Sequence, residues 1–91
     1  MSHLLVAQTL TLPVAPTRLQ NLIAKPLAKE QKYSMCLSVL EGAELHIGAS
    51  TRPEVYSIHP AGDRLNWVVD NPGEIHVSGV GRISIVIFWG E

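Results

Sequence analysis

The sequence has few of the features that mark the commoner classes of small protein. It has one cysteine, Cys36, so a disulfide within the chain is impossible and a secreted, disulfide-stabilised fold is excluded. No apolar run approaches the roughly 20 residues that a membrane-spanning helix needs. The short apolar stretch over 4–7 follows no basic segment, so we expect neither a signal peptide nor a membrane partner.

Charge is also scarce. Charged residues make up 16% of the 91 residues, against about 25% in an ordinary soluble domain, while 46% of the residues are hydrophobic. The net charge of −1 lacks the basic excess that many phosphate contacts require, so we expect no nucleic-acid partner. Such a chain is either a compact domain with an uncharged polar surface or a protein covered by its neighbours, and we favour the second interpretation.

What the sequence does have is alternating apolar residues, most clearly at its end. In a strand, successive side chains point to opposite faces. Over 82–89 one face carries three isoleucines and Trp89, and the other carries Val86 and Phe88 together with Ser84. A strand with only one covered face would leave the valine and the phenylalanine in water, so we expect both faces to be covered.

The same alternation appears near the start, over 4–12, until Pro13 and Pro16 end it. The apolar residues on that strand face are Leu4, Val6, Leu10 and Leu12. The sequence therefore predicts an N-terminal arm or strand over 1–16, followed by a single β-sandwich domain over 17–91.

The remainder reads as strands separated by turns. Glu41 and Gly42 predict a tight turn, and hence a hairpin, between strands over 35–39 and 45–47. The spacing of Thr17 and Gln20 predicts one short helical turn. Six or seven strands at intervals of about 8–12 residues predict an all-β fold, a small antiparallel β-sandwich or jelly-roll-like barrel.

No residue pattern matches a catalytic signature, so we do not expect an enzyme. Glu44 and His46 share one face of a predicted strand, and Glu74 and His76 share a face further on, which could form a metal site if the two strands were neighbours. Ordinary polar residues also occupy outward positions, so we expect no metal and no cofactor. Cys36 lies in an apolar strand, where a thiol is usually inert.

Aromatic rings offer an alternative function. Tyr33, Tyr56, Trp67 and Trp89 could form a stacking platform for sugar, which would make the chain a carbohydrate- or receptor-binding β-sandwich module. Both tryptophans share a strand face with aliphatic residues, so we interpret them as core or interface anchors instead.

The segments Glu44–Ser50, Ile58–Asp63 and Ile75–Gly79 follow one another and lead to a terminal Ile-Val-Ile-Phe-Trp. This order over 35–91 resembles small β-sandwich virion proteins of tailed bacteriophages, which decorate or cement capsids or are other minor head and tail components. The resemblance implies a structural virion protein that is assembled in the host cytoplasm. Its partners would be other copies of itself, with a trimer favoured, and a major capsid or other virion protein.

Together, the scarcity of charge and the resemblance predict that the protein acts by burying apolar surface between subunits. The residues that we expect at this interface are Leu4, Val6, Leu10, Leu12, Val86 and Phe88.

Overall fold

The computed structural model describes residues 3–24, 27, 32–49, 52, 56–69 and 72–89. Eight strands lie within these residues. They are β1 (His3–Thr11), β2 (Thr17–Arg18), β3 (Tyr33–Val39), β4 (Glu44–Gly48), β5 (Ser57–Pro60), β6 (Arg64–Val69), β7 (His76–Val80) and β8 (Arg82–Trp89). Single 3₁₀ turns are formed by Leu19–Asn21, within the helical turn that the sequence predicts over 18–24, and by Pro72–Glu74.

The strands form two antiparallel sheets of four strands each, which confirms the predicted all-β sandwich. The first sheet has the order β1-β8-β3-β6 and the second has the order β2-β7-β4-β5. Among these strands, β4 and β5 are the only pair of sequence neighbours that are hydrogen-bonded to each other. Every other connection crosses from one sheet to the other, which gives the strand order of a jelly roll.

The hairpin predicted at Glu41 and Gly42 is wrong, because β3 lies in the first sheet and β4 in the second. The turn itself is present, and the amide of Ala43 donates to the carbonyl of Leu40 at 3.0 Å. The amide of Leu40 donates to the carbonyl of Arg82 instead of to β4. The turn therefore carries the chain between sheets.

The core fills the space between the two sheets. Ile83, Ile85 and Ile87 on β8 are completely buried, and they face Leu45 and Val77 of the second sheet's core, which are buried to the same degree. In β3 every second residue is buried, from Tyr33 to Val39. The predicted isoleucine face of the terminal strand is thus covered by the chain itself.

The N-terminal segment is a strand of this sandwich. β1 runs antiparallel to β8 over its length, so residues 3–11 belong to the same unit as the strands that follow residue 17. Val6, Leu10 and Leu12 are 4%, 8% and 5% exposed and lie in the core. We expected these three residues at an interface between subunits, but they lie in the core of the single chain. They do so because β1 is the edge neighbour of β8 and continues its core-facing apolar side.

Candidate interaction surface

The side of the first sheet that points away from the core is a continuous surface, which we call the outer face. Its members follow from the strand register and the alternation of buried and outward residues. They are Leu4, Ala7, Thr9 and Thr11 of β1; Arg82, Ser84, Val86 and Phe88 of β8; Ser34, Cys36 and Ser38 of β3; and Arg64, Asn66 and Val68 of β6.

One half of the outer face is mostly apolar and carries no charge. Phe88 lies between Leu4 on one side and Ser34 on the other, and Ser34 is in turn paired with Val68. Leu4 and Val68 are 57% and 65% exposed, although they are large aliphatic residues. The next row contains Ala7, Val86, Cys36 and Asn66 in the same strand order.

The charge of the outer face is confined to its other end. Arg82 is paired with Thr11, and Arg64 is paired with Ser38, so the two guanidinium groups belong to the end of the sheet remote from Phe88. None of the residues that make up the outer face is acidic. A partner surface for the Phe88 half therefore needs to be apolar and uncharged.

The structure divides the residues that the sequence predicted for the interface. Leu4, Val86 and Phe88 lie together on the outer face, while Val6, Leu10 and Leu12 lie in the core. The separation of Leu4 from Val6 has a local cause, since the pairing register of β1 shifts between these two residues. A bulge of this kind sends two residues of equal parity to opposite faces.

Val68 was not among the predicted interface residues. The alternation that placed Leu65, Trp67 and Val69 inward already required Val68 to point outward, so the signal was present in the sequence. Its position beside Ser34 and in the same row as Phe88 could only be known from the strand order.

The two strands considered for a metal site are neighbours, but their histidines have other contacts. His46 is paired with Ser78, and its Nε2 lies 2.7 Å from Oε1 of Glu44. His76 is buried, and its Nδ1 donates to the backbone carbonyl of Glu74 at 3.1 Å. Among the described residues, no three histidine, cysteine or acidic side chains are grouped so that they could hold a metal ion.

The aromatic rings do not form a common exposed surface, although Tyr33 and Trp89 are paired on neighbouring strands. Tyr33 is buried in the core, and Trp67 packs against the core from β6. The ring of Tyr56 lies directly on Gly48, where an added Cβ would be 2.5 Å from the ring, and burial raises the pKa of Tyr56. Trp89 is 40% exposed at the end of β8. These positions do not form the flat platform on which a sugar would stack.

A group that the sequence analysis missed lies on β5 and the turn after it. Oγ of Ser57 is 2.9 Å from Nε2 of His59, and Nδ1 of the same imidazole is 3.1 Å from Oδ2 of Asp63. The sequence predicts only a strand over 55–58 and a turn over 59–62 in this region. The spacing Ser-x-His-x-x-x-Asp matches no familiar motif, and only the geometry brings the three side chains into one hydrogen-bonded series.

No protein-family model, curated protein or solved structure matches this chain. Within the described ranges, the chain contains no helix with the length and apolar character needed to cross a membrane.

Proposed function

We propose that this protein is a structural subunit that acts by packing the outer face of its first sheet against neighbouring subunits, and that it decorates or cements a bacteriophage capsid. The observation that carries the proposal is the apolar half of the outer face. Large aliphatic residues lie exposed there beside Phe88, on a surface without acidic residues. The virion assignment rests on the resemblance over residues 35–91.

The size of the outer face supports a repeated contact. Four strands about 4.8 Å apart, read over some five residues of about 3.3 Å each, give a footprint of roughly 300–400 Å² per subunit. Two such footprints reach roughly 600–800 Å², below the 1,200–2,000 Å² that is typical of a stable complex. A contact of this size is weak alone and becomes effective when a lattice repeats it.

The occupant that we propose for the outer face is a second copy of the chain. The arginines lie at one end of the face and the apolar residues at the other. When two copies pack face to face about a twofold axis that crosses the strands between the row of Phe88 and the row of Cys36, the two apolar halves cover each other and the arginines of the two copies lie beyond opposite ends of the contact. Such a contact is isologous, whereas the trimer implied by the resemblance would need a heterologous one.

Sedimentation equilibrium of three proteins over a range of concentration tests this contact. We expect the mass of the native protein to rise from that of one 9.9 kDa chain, and the rise to disappear in the double variant Leu4→Asp/Val68→Asp. The matched control is Ile58→Asp on β5, because Ile58 is 60% exposed but belongs to the second sheet. A native protein that stays monomeric, or a control that dissociates equally, contradicts the proposal.

The virion assignment has its own test. Purified protein is mixed with capsids from which small surface proteins have been removed, and bound protein is measured after sedimentation of the particles. We expect binding that saturates at a fixed number of copies per capsid and that Leu4→Asp/Val68→Asp weakens. Self-association without binding to any particle would leave a structural oligomer and would remove the assignment to a capsid.

A further inference from the structure

We propose that Ser57 is an activated nucleophile and that Ser57, His59 and Asp63 form a site for acyl transfer from carboxylic esters. The hydrogen bonds have the arrangement that activates a serine. The hydroxyl of Ser57 is hydrogen-bonded to Nε2 of His59, and the carboxylate of Asp63 is hydrogen-bonded to Nδ1 of the same ring. Such a site is identified by geometry and by the role of each atom, whatever the order of residues in the chain. It lies on the second sheet, so it is independent of the outer face.

The carboxylate determines which nitrogen carries the proton. An ionised carboxylate only accepts hydrogen bonds, so the contact of Oδ2 of Asp63 with Nδ1 requires a proton on Nδ1. The neutral imidazole then has its lone pair on Nε2, where it accepts the hydroxyl proton of Ser57. Asp63 is thus a positioning residue that acts through His59.

The backbone holds the three side chains in place. Ser57 and His59 are two residues apart on β5, so their side chains are on one face, and this strand is paired with Ile47 and Leu45 of β4. The amide of Asp63 donates to the carbonyl of Pro60 at 3.2 Å, and the carbonyl of Asp63 accepts from the amide of Val39 at 2.9 Å. The turn that carries the carboxylate is therefore tied to β3 as well as to β5.

The site is open to a substrate. Ser57 is exposed, His59 is half-buried, and β5 is one of the two edge strands of its sheet. In the proposed reaction, Oγ of Ser57 bonds to the carbonyl carbon of the ester while Nε2 takes the hydroxyl proton. The alkoxide or phenoxide leaves and receives that proton from Nε2. Water then attacks the acyl-serine, returns a proton through His59, and releases the carboxylic acid and free Ser57.

The test uses a fluorophosphonate probe on the full chain, with mass spectrometry to locate the adduct. Oγ of the activated serine forms a bond to phosphorus, the P–F bond breaks, and fluoride leaves. We expect one adduct, on Ser57, and hydrolysis of p-nitrophenyl acetate that the adduct blocks. Replacing His59 with glutamine should slow labelling about 100-fold or more, the usual contribution of a positioned general base.

The matched control is Thr17→Ala, which removes a hydroxyl from β2 at the opposite edge of the second sheet and should leave labelling unchanged. Asp63→Asn should slow labelling while its imidazole ¹⁵N shifts reveal a change of tautomer, which a purely structural role would not cause. Urea should also abolish labelling of the native protein, because unfolding separates Ser57 from His59. This control does not depend on whether the variants fold. An adduct spread over several serines, no adduct on Ser57, or equal labelling of native protein and His59→Gln would overturn the proposal.

Discussion

Residues on the two faces of β8 have different roles although they are similarly apolar. Ile85 is completely buried between the sheets, whereas Phe88 is half-buried on the outer face. Because burial of an apolar side chain stabilises in proportion to the area removed from water, the two residues should contribute unequally to the folding of a single chain.

The first prediction compares Phe88→Ala with Ile85→Ala in dilute protein. We expect Ile85→Ala to lower the free energy of unfolding by about 2–5 kcal/mol, as for other large-to-small core changes. Phe88→Ala should lower it by only about 1 kcal/mol, since the ring lies on the outer face and not between the sheets, but should weaken association. Urea unfolding and sedimentation measure the two effects. Equal losses of stability would place Phe88 in the core and remove it from the interface.

A second prediction concerns Gly79 on β7. Its φ is +134°, and a Cβ at this position would lie 2.1 Å from the backbone oxygen of Glu44 on the neighbouring strand. Gly79→Ala should therefore destabilise the protein by at least about 3 kcal/mol, because backbone strain is added to a clash that only a shift of β4 can relieve.

Gly42 provides the control for Gly79. Its φ is also positive, at +77°, but an added Cβ there has no heavy atom within 4 Å. Gly42→Ala should cost only about 1–2 kcal/mol, the usual penalty for a left-handed backbone with a side chain. Similar urea midpoints for the two variants would show that the close approach of Glu44 is absent in solution.

At the scale of elements, the sequence predicted the strands better than their pairing. The alternation of residues within β3 and β8 is a local property, and it correctly indicated which side chains are buried. The partner of each strand depends on contacts distant in sequence, so the turn at Glu41 could not reveal that its flanking strands enter different sheets.

The candidate surface was predictable to a similar extent. The alternation in the sequence already showed Val86 and Phe88 as a second apolar face of β8. The bulge between Leu4 and Val6 has no local signal, so the alternation placed four residues of the N-terminal segment on one face, and three of them lie in the core. The hydrogen bonds that join Ser57, His59 and Asp63 could not be predicted from the sequence, because they depend on the path of the turn that carries Asp63.

The third prediction follows from the position of β1. Deleting residues 1–12 removes Val6, Leu10 and Leu12 from the core, and each contributes about 1.5–3 kcal/mol when buried. The sum, about 5–9 kcal/mol, is comparable with the whole stability of a typical domain, about 5–15 kcal/mol. We expect the truncated chain to lose its cooperative thermal transition and near-ultraviolet circular dichroism.

A matched change for this deletion keeps the strand and alters only its outward side. Replacing Ala7 and Thr9 with serine preserves the pairing of β1 with β8 and should preserve the fold. If the chain without residues 1–12 also unfolds cooperatively at the native temperature, then β1 is a dispensable arm, as the division at residue 16 implied.

At the scale of the whole molecule, the chain completes its core without a partner. Its accessible surface is 5509 Å², close to the roughly 5,200 Å² expected for a folded monomer of this mass. The radius of gyration, 12.3 Å, also agrees with the value of about 12 Å for a compact domain of this length. The scarcity of charge in the sequence therefore corresponds to the uncharged half of the outer face, not to an incomplete core.

The fourth prediction uses Cys36, which is half-buried near the middle of the outer face. Sheets packed face to face are about 10 Å apart, whereas a disulfide needs Cα atoms within about 7 Å. Oxidation should therefore leave the chains separate, while a short bismaleimide should join two 9.9 kDa chains in native solution and fail to do so in urea.

Moving the thiol to the second sheet supplies the comparison for this experiment. In Cys36→Ser/Ile58→Cys the sulfur lies on an exposed position of β5, outside the proposed contact. The thiol at position 58 should react with maleimide but form few linked pairs. Denaturing electrophoresis separates single chains from linked pairs. Association of the native protein without a link through Cys36 would contradict the proposed twofold pairing, because Cys36 lies near the proposed axis and residues near a twofold axis lie close to their equivalents in the other copy.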